Sequence, residues 1–150
     1  MPLSPFEEII NFARDKEKES IAFYEDLARK TGDPAKKDAI LAMADEERKH
    51  EKLLRGLTPE SLQFAKGSSQ PDMRLGDYMI DLEPSGDLTY QELLVIAMKR
   101  EEKSRALYAD LEARAADSAT GKVFTLLKGE ELKHKTKLEK EYEGHVFWEG

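Results

Sequence analysis

The chain has 150 residues, of which 37% are charged and 39% hydrophobic, with nine Gly and six Pro. This composition is typical of a single domain of amphipathic helices and argues against an all-β fold. The net charge of −7 argues against nucleic acid or an anionic membrane as a partner, and the lack of cysteine excludes disulfides, iron–sulfur clusters and zinc–thiolate sites.

Neither a targeting segment nor a membrane span is predicted. Residues 1–8 have no basic start and no long apolar run, so they do not resemble a signal peptide. No stretch approaches the roughly 20 apolar residues that cross a bilayer. We therefore expect a cytoplasmic protein, which the absence of cysteine also fits.

Capping residues divide the chain into four predicted helices. Pro5 suits the first position of a helix that Gly32 ends, and Asp33 caps the next helix. A capping box at Thr89–Glu92 begins the third helix, and Gly144 follows the fourth. The predicted helices span roughly 5–31, 34–55, 89–115 and 118–143.

The segment 57–87 separates the second and third predicted helices. It contains the loop signals Lys66–Pro71 and Glu83–Gly86, and Thr58–Ala65 is expected to form one short helix. About thirty residues suffice to run the length of a helix bundle. The segment is therefore predicted to be one long crossover.

The sequence also repeats itself. Shifted by 84 residues, it aligns with itself without gaps for about fifty positions. The aligned pairs include Glu17 and Glu101, Tyr24 and Tyr108, Glu47 and Glu131, and His50 and His134. We interpret the chain as one domain over 1–150, with hairpin repeats at about 4–56 and 88–143 and a C-terminal tail at 144–150. The predicted fold class is all-α, a four-helix bundle of two repeated hairpins.

Six polar residues interrupt the apolar stripe of these helices. Apolar residues recur at steps of three and four on each helix, which places them toward a core. The interrupting residues are Glu17, Glu47, His50, Glu101, Glu131 and His134. Positions 17 and 47 lie equally far from the first hairpin turn, and 101 and 131 equally far from the second. All six side chains are therefore expected in one inward-facing layer.

Such a layer requires counter-charge. A buried, unpaired carboxylate costs several kcal/mol, and four of them repel one another. Two divalent cations would neutralise four carboxylates. Carboxylate and imidazole ligands suit iron or manganese and also admit zinc. A Glu from each of two helices plus Glu-x-x-His from the other two is the known pattern of di-iron and di-manganese bundles.

Other polar positions leave more than one interpretation. Tyr24 and Tyr108 share the face of the Glu residues, and core packing is favoured over a role around the metals. Glu46 and Glu130 lie about 100° off the core stripe, so surface ion pairs are expected. Gly129 could permit close helix approach or small-molecule access, or have no function.

The segments Glu17–Tyr24 and Glu46–His50, with their copies at 101–108 and 130–134, resemble the rubrerythrins. Rubrerythrins are ferritin-like di-iron bundles that typically reduce hydrogen peroxide with electrons from rubredoxin. The resemblance implies a ferritin-like fold and two iron ions, cycling between Fe(II) and Fe(III), held by the six residues named above.

This chain departs from the rubrerythrin pattern in two ways. It lacks the four cysteines of a rubredoxin module, so a separate electron donor such as rubredoxin is implied. Met98 stands where many rubrerythrins have an extra ligand Glu, which leaves a symmetric set closer to that of bacterioferritin. The bacterioferritin haem ligand is absent as well, since Arg48 occupies that position.

The leading hypothesis is a di-iron oxidoreductase, active as a homodimer, that reduces hydrogen peroxide or dioxygen. Glu47 and Glu131 would bridge the metals, Glu17 and Glu101 would be terminal ligands, and each His would bind one iron. Three alternatives remain: an iron-storage protein with ferroxidase activity, a di-iron hydroxylase of an organic substrate, and a purely structural bundle.

Overall fold

A computed structural model describes residues 5–58, 74–79, 88–115 and 118–144 of the chain. These residues form four long helices, α1 (Pro5–Lys30), α2 (Pro34–Arg55), α3 (Tyr90–Arg114) and α4 (Ser118–Tyr142). A short 3₁₀ helix, Leu75–Tyr78, precedes α3. Each long helix agrees with its predicted span to within one residue at either end.

The predicted caps explain this agreement. Asp33 Oδ1 accepts the backbone N–H groups of Ala35 at 2.9 Å and Lys36 at 3.4 Å. At the start of α3, Thr89 and Glu92 form a reciprocal capping box with two contacts of 3.1 Å. Gly144 has φ 84 after α4, a backbone conformation that favours glycine. The side chains of Asp33, Thr89 and Glu92 thus bind backbone N–H groups that the start of a helix leaves without partners.

The helices pack as two hairpins that lie against each other. α1 packs on α2, α3 packs on α4, and contacts of α1 with α3 and of α2 with α4 join the hairpins. Tyr24 contacts Glu101 while Tyr108 contacts Glu17, so α1 and α3 run antiparallel. The predicted all-α, ferritin-like four-helix bundle is confirmed.

The core consists of two apolar clusters with a polar layer between them. One cluster contains Tyr24, Leu27, Ile40, Met43, Leu94 and Leu138. The other contains Ile10, Ala13, Leu54, Leu107, Tyr108, Leu111, Phe124 and Leu127. On every helix, the predicted Glu and His positions fall between the residues of the two clusters. The middle of the bundle is therefore its polar part.

Part of the crossover lies against α1 and α3. Tyr78 is buried, and its hydroxyl donates to Asp110. Lys16 Nζ donates to the carbonyl of Tyr78 at 2.7 Å, and Lys103 Nζ to that of Asp77 at 2.8 Å. The sequence analysis did not foresee this 3₁₀ helix. The predicted helix at 58–65 and the tail from residue 145 lie outside the described residues.

No helix within the described parts of the chain is both long and apolar enough to cross a membrane.

Candidate metal centre

The structure brings all six predicted residues together in the middle of the bundle. α1 and α3 each supply one Glu, and α2 and α4 each supply a Glu and a His one turn apart. Their relative exposures are 2% for Glu17, 0% for Glu47, 4% for His50, 2% for Glu101, and 0% for Glu131 and His134. The helical phase inferred from the apolar stripe therefore placed every one of them correctly.

The six side chains form two overlapping groups of four. One group consists of Glu17, Glu47, His50 and Glu131, and the other of Glu47, Glu101, Glu131 and His134. Within each group, one ligand atom from every residue lies within 4.8 Å of the others. Glu47 and Glu131 belong to both groups, which is the arrangement that two adjacent cations sharing two carboxylates would require.

Both imidazoles direct Nδ1 toward the carboxylates. His50 Nδ1 lies 2.8 Å from Glu131 Oε1 and 3.2 Å from Glu47 Oε1. His134 Nδ1 lies 3.2 Å from Glu47 Oε1 and 3.6 Å from Glu101 Oε1. Each His thus presents one ring nitrogen to one of the two groups.

Eight buried polar atoms of this layer lack hydrogen-bond partners. They are Glu17 Oε2, both carboxylate oxygens of Glu47 and Glu131, Glu101 Oε2, and Nδ1 of His50 and His134. Unpaired buried polar atoms are rare because each one costs desolvation free energy. Here they converge on a common space, and four carboxylates with two imidazoles are donors that divalent iron, manganese or zinc accepts. The residues present therefore fit a pair of metal ions.

The pKa values of the layer show how protons balance the charge when no cation does. Burial and the nearby Glu47 raise the pKa of Glu17 to about 8. Burial, with Glu101 and Glu47, raises the pKa of Glu131 well above its usual value. Burial alone would lower the pKa of His50, but Glu17 and Glu47 outweigh it and raise this pKa to about 10. Without a cation, protons on Glu17 and His50 would offset part of the carboxylate charge at neutral pH.

The pKa values of His134 and Glu47 are also set by burial and by the neighbouring charged groups. Burial disfavours charge on both His134 and Glu47. The carboxylates of Glu101, Glu46 and Glu47 nevertheless raise the pKa of His134 well above its usual value. The imidazoles of His134 and His50 lower the pKa of Glu47. The lowered pKa of Glu47 means that this carboxylate stays ionised beside the two imidazoles.

Two buried tyrosines contact the candidate ligands from the opposite hairpin. The Tyr24 hydroxyl donates to Glu101, and the Tyr108 hydroxyl donates to Glu17. Burial, followed by these carboxylates, raises the pKa of each tyrosine well above its usual value. The hydroxyls therefore remain protonated donors. Both rings also belong to the apolar clusters, so core packing and contact with the ligands occur together.

Glu46 is a functional candidate that the sequence analysis missed. It was expected to form a surface ion pair, but its Oε2 lies 2.7 Å from His134 Nε2. This hydrogen bond with His134 has the largest effect on the pKa of Glu46, and it lowers that pKa. A carboxylate that accepts the outer N–H of a ligand His fixes the tautomer and leaves Nδ1 free for a metal. The sequence feature that could have drawn attention to Glu46 is the Glu-Glu pair that occurs in both repeats, at 46–47 and 130–131.

The repeat-related Glu130 behaves differently. It lies 3.5 Å from Lys133 on its own helix, as expected for a surface ion pair. Among the described residues, no carboxylate accepts the outer nitrogen of His50 as Glu46 does for His134. The two halves of the layer thus have the same inner residues and different surroundings.

Three further sequence expectations can be compared with the structure. Met98 is partly buried and packs against the apolar cluster that contains Tyr24. Arg48 is exposed and pairs with Asp45 at 2.5 Å and Glu25 at 3.3 Å. A Cβ added at Gly129 would meet nothing within 4 Å, so the suggestion that this glycine permits close helix approach is wrong.

The fold and the gathered carboxylates define a class, the ferritin-like four-helix bundles. A Thermotoga maritima structure, described as a proposed ferritin-like diiron-carboxylate protein, is similar with a TM-score of 0.72 and 25% identity, over 90% of this chain and 92% of that one. A Pyrococcus furiosus chain, described as a hypothetical protein, has a TM-score of 0.74 and 28% identity, over 97% of this chain and 92% of that one.

Within that class, the sequence of the first hairpin matches the model of one family. Residues 3–58 match the family model named Rubrerythrin, which confirms the rubrerythrin resemblance read from the Glu17–Tyr24 and Glu46–His50 segments. The second hairpin lies outside the matched residues. No curated protein matched the chain.

Proposed function

We propose that this chain is a di-iron oxidoreductase of rubrerythrin type, which reduces hydrogen peroxide or dioxygen. The observation that carries the proposal is the pair of overlapping four-residue groups that share Glu47 and Glu131. A single cation needs only one such group. Two groups with two common carboxylates would allow two cations to lie side by side, and a pair of Fe(II) ions could together supply the two electrons that reduce hydrogen peroxide.

In this proposal, each residue has a defined task. Glu17 and His50 would hold one cation, Glu101 and His134 would hold the other, and Glu47 and Glu131 would be shared by both. When bound, the iron pair would supply the electrons for reduction of the oxidant. Tyr24 and Tyr108 orient the two terminal carboxylates through their hydroxyl groups. Glu46 holds the His134 ring in the tautomer that a metal needs.

The enclosure of the layer supports redox chemistry over simple surface binding. The six residues are at most 4% exposed, and the apolar clusters above and below exclude bulk water. Electrostatic interactions are stronger in such a site than in water. We propose further that electrons arrive from a separate donor such as rubredoxin, and that the protein is a cytoplasmic homodimer.

Rapid mixing tests the proposal. The protein is loaded anaerobically with two equivalents of Fe(II), mixed with one equivalent of hydrogen peroxide or with dioxygen, and followed by its ultraviolet absorbance. We expect oxidation within seconds in the wild type. Glu131→Ala should oxidise far more slowly, whereas Glu130→Ala, the adjacent residue outside the layer, should behave as the wild type. Slow oxidation of the loaded wild type by both oxidants would refute the assignment.

A ferroxidase that feeds iron storage is a second candidate, and Met98 favours it. Its side chain packs on apolar residues, so the described site is the symmetric four-Glu, two-His set. Storage predicts a large cage that takes up many iron ions per chain. Size-exclusion chromatography and iron counting after aerobic loading would separate the two: a small oligomer that holds about two ions per chain excludes storage.

A further inference from the structure

A cleft on the surface between α2 and α4 reaches the candidate metal centre. Its volume is about 430 Å³, and both helices contribute lining residues. This volume falls in the usual range for small-molecule sites. The least exposed residue of the lining is His50, at 4%, whose Nδ1 faces the carboxylates on its inner side. The cleft therefore lies directly outside one candidate ligand.

The lining combines apolar surface with positive charge. Leu53 and Leu126 are 40% and 51% exposed and supply the apolar surface of the cleft. Lys49, Lys133 and Lys137 also line the cleft. The chain as a whole carries a net charge of −7, so three lysines at one opening are a local reversal of its charge.

The two acidic residues of the lining are already engaged. Glu46 contacts His134 at 2.7 Å, and Glu130 lies 3.5 Å from Lys133. Within the part of the chain that the structure describes, Lys49 and Lys137 form no ion pair. Lys137 lies near enough to Glu46 to help lower the pKa of that carboxyl, but neither ammonium group is held in an ion pair, so both can turn toward a ligand.

We propose that this cleft binds a small organic anion with an apolar body, such as a medium-chain carboxylate. The carboxylate would lie between Lys49 and Lys137, and the aliphatic body would cover Leu53 and Leu126. An acidic protein would meet the same lysines, but a cleft of about 430 Å³ that includes the buried His50 in its lining suits a small molecule. The inference concerns binding alone and stands independently of the proposed redox activity.

Isothermal titration of metal-loaded protein with octanoate tests the inference. We expect saturable binding of one octanoate per chain, and binding of octan-1-ol, which has no charge, at least about tenfold weaker. The double substitution Lys49→Gln with Lys137→Gln should weaken octanoate by at least about threefold, the range expected for two exposed charge contacts. Metal content and circular dichroism should stay unchanged in this variant.

A matched control lies on the same two helices. Lys52→Gln with Lys140→Gln removes the same charge from exposed positions outside the cleft and should leave octanoate binding unchanged. Leu126→Gln should weaken octanoate without affecting metal content. The proposal is overturned if octanoate does not bind, if octan-1-ol binds equally well, or if the two double variants behave alike. If the interface of a dimer covered this cleft, octanoate would not bind.

Discussion

Loading the candidate centre with metal should release at least about two protons per chain at pH 7, because metal ligands must be deprotonated. The pKa of Glu17 is raised to about 8 and that of His50 to about 10, so both groups hold a proton at pH 7. Burial and neighbouring carboxylates raise the pKa of Glu131, and neighbouring carboxylates raise that of His134 against the effect of burial. These two groups add to the release to the extent that they are protonated.

Calorimetry in two buffers measures this number. The metal-free protein is titrated with Zn(II) or, anaerobically, with Fe(II), at pH 7 in buffers of different ionisation enthalpy. The dependence of the apparent heat on that enthalpy gives the protons released. The sign of the pH dependence follows as well: each bound proton competes with the metal, so apparent affinity should rise as the pH is raised from 6 toward 8, through the pKa of Glu17.

Two adjacent residues of α4 provide a test variant, at Glu131, and its matched control, at Glu130. Glu131→Gln removes a carboxyl group whose raised pKa favours the protonated form, so fewer protons should be released than from the wild type. Glu130→Gln changes a residue outside the layer and should leave the number unchanged. Metals bound by ordinary surface carboxylates, which are ionised at pH 7, would release almost none. A value below about two for the wild type would therefore refute the buried-ligand assignment.

Three single substitutions test the surroundings of the layer. Glu46→Ala should lower metal affinity about tenfold in competition with a chelator, whereas Glu130→Ala, its repeat counterpart, should not; equal losses would contradict a positioning role. Tyr24→Phe should lower the unfolding free energy of the metal-free protein by about 1–3 kcal/mol in urea, because a buried carboxylate loses its donor. The exposed Tyr142→Phe is its control and should change stability by less than about 0.5 kcal/mol. Gly129→Ala should raise the unfolding free energy measured in urea by up to about 1 kcal/mol, since its Cβ enters open space; destabilisation would show that this backbone needs glycine.

The helices and the six inner residues were predictable because local chemistry specifies them. Asp33 and the Thr89–Glu92 box mark helix starts through their own hydrogen bonds, independently of tertiary contacts. The phase of each helix follows from its apolar stripe, and the duplication repeats the same phase twice. A Glu that interrupts such a stripe must face the core once the helices pack, so burial of Glu17 and Glu101 follows from sequence.

Features that depend on the distance between helices were not predictable. Helical phase places Glu46 off the core stripe, yet its side chain reaches the ring of His134 because α2 and α4 lie close at this level. The 3₁₀ helix at Leu75–Tyr78 has too few residues to show a period, and backbone carbonyls of its residues contact Lys16 and Lys103. The cleft beside His50 likewise exists only between packed helices.

A duplicated sequence predicts two equivalent metal positions, but the structure distinguishes them by their surroundings. The candidate ligands on the two sides are the same residue types, so any difference between the bound metals must come from what lies behind the ligands. His134 is backed by the Glu46 carboxylate, which strengthens a His ligand and fixes its orientation. His50 instead borders a cleft that carries lysines and exposed leucines. If both positions bind metal, divergence outside the repeated ligands would give one of them a His backed by a carboxylate and the other a His beside a cleft.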